Sequence, residues 1–402
     1  MLVPVAPPAG DATILPVMKV GIVVPYSWSF PGGVLDHAHS QAESLRELGV
    51  DARVICGNDP PGTFTRVLHP RTGRHDDPPP YVIPIGRSVI VPANGSLPNI
   101  ILSPRAVFRM KRVLERERFD LLHLHEPMTP IPCTAALALA RTPIVATFHA
   151  SGELSWLKLA RPAWGFLLDR IDHRIAVSRQ ARQSAARYFP GEYEIVPNGV
   201  LVPPNADPGG REHRVVFVGR QEPRKGLHVL LRAWPKVHRE TGARLRLIGA
   251  DPLSVRLLLT RERLSDEGVD VLGIVSHERR TAELRSAKAL VAPSLGGESF
   301  GMVLAQAFAC ATPVVASDIA GYGEVMSPQT GLLVPPGDPE ALAQALIALV
   351  EHEPRRRAMG ASARNLALER YSWPDIATRL LRIYELVTGA PAPVASAAHG
   401  KP

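Results

Sequence analysis

The stretch GGESFGMVLAQAF, residues 296–308, sets an acid, Glu298, at the mouth of an apolar segment and an amide, Gln306, eight residues on. A carboxylate accepts hydrogen bonds from hydroxyl groups and repels phosphate. The free backbone amides at a helix start attract an anion. Those of Ser299, Phe300, Gly301 and Met302 stand between the two side chains. A helix begun at Glu298 carries Gln306 about 12 Å further along its axis. One end then suits a sugar, the middle a diphosphate and the far end a ribose. Taken alone, the same residues equally describe an acid that stabilises a helix dipole and an exposed glutamine.

In VVFVGRQEPRKG, Arg220 follows a strand-like run directly, and Arg224, Lys225 and Gly226 come in the next turn. Cations at a strand's carboxyl end can clamp an anion, arginine as a planar fork and lysine as a point charge. A solvated charged turn has the same composition. SFPGGVLDH places Gly32 and Gly33 before a helical segment, as a second phosphate cradle or as a tight turn. It is not G-x-G-x-x-G, so a dinucleotide fingerprint is not supported. His149 ends PIVATFH, where it either touches a reacting group or is a satisfied buried histidine. The chain has no Asp-x-Asp motif. The expectation is therefore no metal and no cofactor, with anion stabilisation left to Arg220, Lys225 and helix amides.

The elements that must position these residues alternate. KVGIVVPY, DARVICG, DLLHLHEP, PIVATFHA, RIAVSR and EIVPNGV read as strands with helical segments between most of them. PPNADPGGREH breaks the pattern as a linker, and it restarts with RVVFVGR, ARLRLIGA, VDVLGIV, ALVAPS, PVVAS and GLLVPPGD. Such alternation implies α/β architecture: two Rossmann-like domains with parallel sheets, facing each other across a cleft. The divisions expected are 1–17 as a disordered extension, 18–202 as the first domain, 203–213 as linker, 214–370 as the second domain and 390–402 as a disordered tail.

The 402 residues suffice for two such cores, with 45% hydrophobic residues and a net charge of +8. Cys56, Cys133 and Cys310 share no metal or disulfide spacing, which fits a reducing cytosol. No apolar run reaches the length of a membrane span. The opening MLVPVAPPAGDATILPV lacks a basic start and does not read as a signal peptide, so Met18 is an alternative start. PRAVFRMKRVLERERF aligns Arg105, Arg109, Arg112 and Arg116 on one helical face with Lys111 beside it, over an apolar side of Ala106, Met110, Val113 and Leu114. That is a solvated amphipathic helix or a surface for anionic lipid.

In order and spacing, VPYSWSFPGGV, NGS, LLHLHEP, PIVATFH, RIAVS, VPNGV, VGRQEPRKG, GGESFGMVLAQA and PVVASD resemble GT-B glycosyltransferases of family GT4. More narrowly, the span from Met18 to Gly389 is similar to the actinobacterial phosphatidylinositol α-mannosyltransferases. The resemblance implies a retaining, metal-independent transfer of a sugar, with mannose from GDP-mannose leading. Residues 371–389 would form a helix returning to the first domain. Arg220 and Lys225 would hold the donor diphosphate with Arg224 beside them, and Glu298 the sugar hydroxyls. The amides of Ser299 to Met302 would face the phosphates. Tyr26 and Gly33 would serve the donor from the first domain, and Gln306 would take the ribose end. Val275 and Arg280 would flank the guanine, and His149 would lie beside the transferred sugar. Asn94, Ser96 and Asn99 fall at acceptor positions. The implied partners are a nucleotide sugar, a lipid acceptor and an anionic membrane surface. The implied place is the cytoplasm, peripheral to the inner face of the membrane.

The chain departs from that pattern in places. Gln306 stands where the family has a second glutamate, Ala93 where it has tyrosine, and Asn99 where it has arginine. Leu35 replaces a glutamine and Leu154 a lysine. These changes leave a soluble acceptor with another nucleotide sugar as the alternative. Two other classes remain: a nucleotide-sugar epimerase, and a non-catalytic basic binding protein. Against nucleic acid as a partner, aromatics do not interleave the basic residues.

Overall fold

The computed structural model describes residues 17–30, 32–69, 77–91, 98–150, 165–205 and 210–390. The readings made for 1–16 and 391–402, and the positions Ala93, Asn94, Ser96 and Leu154, lie outside the described residues.

The first sheet contains β1 (Lys19–Ser27), β2 (Asp51–Gly57), β3 (Val82–Gly86), β4 (Val89–Ile90), β5 (Asn99–Ile100), β6 (Leu121–His125), β7 (Ile144–Phe148), β8 (His173–Ala176) and β9 (Glu194–Ile195). Its main path runs β3-β2-β1-β6-β7-β8-β9, all parallel, with β4 and β5 attached antiparallel beside β1. The second sheet holds β10 (Glu212–Val218), β11 (Arg244–Ile248), β12 (Val269–Gly273), β13 (Ala287–Ala292), β14 (Val314–Ser317) and β15 (Gly331–Val334), in the order β12-β11-β10-β13-β14-β15 and parallel throughout. The strand order reverses between β1 and β6 in one domain and between β10 and β13 in the other. Ligands of doubly wound sheets bind at such a reversal, beyond the carboxyl ends of the strands. Tyr26, His125, Arg220 and Glu298 all lie at or just past those ends.

The strands read from sequence appear where expected. The short β3, β4 and β5 were missed, because Pro84 and the two-residue ladders give no periodic signal. The stretch 203–213 behaves as linker for only part of its length. β10 starts at Glu212, and the Arg211 guanidinium donates to the carbonyls of Arg285, Ala287, Cys310 and Ala311. At its other end Arg364 donates to the carbonyl of Pro203, so this crossing is anchored on both sides.

Several contacts join the domains. The Glu324 carboxylate of the second domain accepts from the backbone amides of Arg179 and Gln180, 2.8 Å each, at the start of the first-domain helix Arg179–Ala186. An anion there satisfies orphan donors and the helix dipole together. The helix Trp373–Thr388 lies on the first domain. Its buried residues Trp373, Ile376, Ala377, Leu380, Leu381, Ile383 and Tyr384 repeat at helical spacing. They share a core with Leu35, Ala38, Ala42 and Leu45 of the helix Gly33–Glu47.

Trp373 is the tightest point of this return. A Cβ on Gly199 would lie 2.5 Å from its ring, and the His37 ring lies 4.8 Å away. Trp373→Ala is expected to cost about 3–5 kcal/mol by leaving a cavity there. Chemical denaturation of the two proteins checks it.

Candidate active site

On the second domain, Gly226 fixes the basic turn. Its φ is +68°, and a Cβ there would sit 1.9 Å from the carbonyl oxygen of Pro293. The turn therefore presses directly on the end of β13, and the amide of Leu295 donates to the carbonyl of Arg224 at 2.7 Å. This contact brings two stretches some 70 residues apart in sequence into one cluster. Arg220 and Arg224 pair with Glu222 at 2.9 and 2.7 Å. Arg224 and Lys225 both pair with Oε1 of Glu298, each at 2.7 Å. Glu222 was not singled out from sequence, yet it separates the cations. The Arg224 and Lys225 contacts fall on the same carboxylate oxygen of Glu298.

The helix after Glu298 starts later than the sequence suggested. It spans Met302–Ala309, with Gly301 at φ +83° as its cap. A Cβ on Gly301 would lie 2.9 Å from the Tyr322 ring, which Ser294 holds through a 2.8 Å hydrogen bond. Gln306 is thus about one turn inside the helix, some 6 Å along its axis rather than two turns. The amides of Ser299, Phe300, Gly301 and Met302 have no hydrogen-bond partner among the described residues, as a phosphate cradle requires. Phe300 itself is buried, edge-on to Tyr371.

Val275 is half-buried beside the core, and Arg280 donates to His277 Nδ1 at 2.7 Å. Burial lowers the pKa of Arg280, while the Asp36 carboxylate of the first domain opposes that shift. Gly33 is exposed, and a Cβ there would meet nothing within 4 Å. Tyr26 pairs with Ile100 in the β1–β5 ladder. Burial first, then the Glu126 carboxylate, raises its pKa, while nearby Arg220 of the other domain acts in the opposite sense.

The first domain supplies a buried histidine row that sequence reading largely missed. His123 and His125 alternate along β6 on one face, and His149 follows β7. His125 Nδ1 and His149 Nε2 are 2.8 Å apart. Burial brings His149 down to about 3, opposed by a hydrogen bond with Asn198, and holds His125 well below the usual range. Glu126, also buried, accepts from the backbone amide of His149 at 2.9 Å, and desolvation raises its carboxyl to about 7. His123 lies flat on His125, 4.7 Å between ring centres. Its Nδ1 faces the Tyr384 hydroxyl at 2.6 Å and the Gln41 amide nitrogen at 3.0 Å. Gln41 also donates to Tyr384 at 2.9 Å. With donors on Nδ1, His123 carries its proton on Nε2 and gives it to Thr147 Oγ1 at 2.7 Å. The signal for this row was HLHE at a strand's carboxyl end.

On the acceptor side, Asn99 Oδ1 is engaged by His69 Nδ1 at 2.7 Å. Leu35 is buried in the core. Arg105, Arg109, Lys111, Arg112 and Arg116 are exposed along the helix Arg105–Glu117, while Ala106, Met110 and Val113 are buried.

Two Rossmann-like domains, a cationic turn and an acid before unpartnered amides define a glycosyltransferase of GT-B architecture. Residues 31–201 match the model of Glycosyltransferase Family 4, and residues 212–352 that of Glycosyl transferases group 1. The chain is 37% identical over 395 residues to a phosphatidyl-myo-inositol mannosyltransferase of Mycobacterium leprae, covering 94% of this chain and 100% of that protein. It is 35% identical to the protein so named in Mycolicibacterium smegmatis, covering 93% and 95%. Among solved structures, a sucrose-phosphate synthase from Thermosynechococcus elongatus superposes with a TM-score of 0.74 at 21% identity, covering 93% and 100%, a likeness of fold. The chain belongs to glycosyltransferase family 4.

Removing the Tyr384 hydroxyl leaves His123 Nδ1 with one donor instead of two. Tyr384→Phe is expected to lose about 1–3 kcal/mol of stability. Turnover is expected to fall with little change in donor KM, because the donor cations sit on the other domain. Denaturation and steady-state kinetics on the same preparation test both parts.

Proposed function

We propose that the protein transfers mannose from GDP-mannose to a phosphatidylinositol-type lipid, with retention at the anomeric carbon and without a metal cofactor. The observation that carries the reading is the cluster of Arg220, Arg224 and Lys225 around Glu298, in a chain 35–37% identical over nearly its whole length to proteins named for that activity. The diphosphate takes the cations and the unpartnered amides of Ser299 to Met302. Glu298 accepts from the sugar hydroxyls. Gln306 accepts from the ribose without a charge. Val275 and Arg280 border the base, Tyr26 and Gly33 face the donor, and His149 adjoins the sugar and the acceptor hydroxyl. Negative charge grows on the departing diphosphate, so donors fixed there lower the barrier. Attack from the face that the diphosphate leaves gives retention, with the acceptor proton passing to a phosphate oxygen.

The exposed basic helix Arg105–Glu117 supports an acceptor presented at a membrane surface. Arg105, Arg109 and Arg112 have no carboxylate within 4 Å among the described residues, while Lys111 and Arg116 pair with Glu115 and Glu117. Phe108, 71% exposed, lies on the same helix. We place this contact peripherally, at the cytoplasmic face; no helix among the described residues is long and apolar enough to cross a membrane. One observation favours a second reading, a soluble acceptor: Asn99 is held by His69 and offers no cation to a lipid phosphate.

Arg220→Ala and Lys225→Ala are each expected to lower turnover about 10²-fold or more with little loss of stability. Chelators should leave the wild type active. Radiolabelled transfer from GDP-mannose to phosphatidylinositol, with and without EDTA, is the assay; near-normal turnover of either variant at saturating donor removes the diphosphate clamp.

Binding to anionic vesicles should be salt-sensitive, since each exposed cation near such a surface contributes about 1 kcal/mol. Flotation with phosphatidylserine-containing and neutral vesicles at low and high salt measures it. Absence of binding at low salt, together with efficient transfer to a soluble polyol, turns the assignment to the second reading.

A further inference from the structure

His37, His125 and His149 come together although they are far apart in sequence and belong to three elements. All three are buried, and one ring nitrogen from each lies within 4.8 Å of the others. The ring centres are 5.4 Å apart for His37 and His125, 5.1 Å for His37 and His149, and 5.1 Å for His125 and His149. His37 Nδ1 and His125 Nε2 are buried with no hydrogen-bond partner among the described residues. Two orphaned nitrogens in one cluster are costly unless a ligand takes them up.

We propose that His37, His125 and His149 bind one divalent transition-metal ion of the zinc type. The donor set is nitrogen alone. That suits Zn²⁺, Ni²⁺ or Cu²⁺, and not Mg²⁺ or Ca²⁺, which take oxygen ligands. Zinc holds imidazole nitrogen at about 2.0–2.1 Å in tetrahedral geometry, which sets ligand atoms about 3.3 Å apart. The widest separation must therefore close by about 1.5 Å, within reach of ring rotation. Supporting contacts are already present. His125 lies flat on His123, and His37 packs on Trp373. Such outer partners orient imidazole ligands. With three protein ligands, the fourth position is open. The ion would sit beyond the ends of β6 and β7, where the proposed reaction brings sugar and acceptor together. It would then inhibit transfer rather than support it. That consequence rests on the proposed function, whereas the binding does not.

The test uses the full chain stripped of metal. Zn²⁺ is titrated by calorimetry, and Co²⁺ by its visible absorption, which reports coordination geometry. One ion per chain is expected, with affinity falling at least about 10-fold in His37→Ala and in His149→Gln. His352→Asn, an exposed helix cap distant in sequence, should bind as the wild type does. Thermal melting shows which variants fold, and Zn²⁺ should raise the melting temperature of the wild type but not of the ligand variants. If an Ala variant does not fold, His125→Asn carries the same comparison. Absence of binding tighter than about 1 mM overturns the site, as does a cobalt spectrum unchanged in every ligand variant. A saturated site with full transferase activity overturns the inhibitory placement. Failure to observe transfer with any donor and acceptor counts against the proposed function, and calorimetry still decides the metal site.

Discussion

Three cations, Arg220, Arg224 and Lys225, crowd the carboxyl end of β10, and their mutual repulsion is the constraint that the surrounding structure answers. Glu222 and Glu298 stand between them in a chain of pairs at 2.7–2.9 Å. The arrangement needs the basic turn pressed against the end of β13, which Gly226 permits because no Cβ fits beneath the Pro293 carbonyl. Among the described residues, two carboxylates, Glu222 and Glu298, stand against these three cations, with the unpartnered amides of Ser299 to Met302 beside them. In the proposed function a donor diphosphate would take up those cations and amides.

The opposite wall is built on different physics. The first domain places buried imidazoles, rather than charges, at the reversal of its sheet. Burial holds His123 and His149 down to about 3, so both imidazoles are neutral. The wall is stiffened from behind by the returning helix, whose Tyr384 and Trp373 reach His123 and His37. A change on that helix, distant in sequence from both halves of the cleft, is thereby mechanically coupled to the site. The Glu324 cap on the helix Arg179–Ala186 adds a second tie between the domains.

A charged wall thus faces a neutral one across the cleft. In the proposed function the phosphates would meet the second domain, and the transferred sugar and its acceptor the junction. The exposed arginines of the helix Arg105–Glu117 lie on the first domain, where the proposed function would present the acceptor.

The sequence by itself determined the alternation, the two-domain division and the basic turn. Each is written in local patterns: buried runs of period-free aliphatics, glycine punctuation, and charges next to a strand end. It also determined Glu298 and the helix that follows, though not where that helix begins, since Gly301 at φ +83° delays the start to Met302. Only the tertiary structure decided that Glu222 separates the cations, that Asn99 is taken by His69, and that His37 and His125 join His149. These depend on which strand ends meet, and the meeting is set by sheet order and by the helix Trp373–Thr388. No residue's immediate neighbours carry that information: His37, His125 and His149 lie on separate elements, and what unites them is the reversal of strand order between β1 and β6.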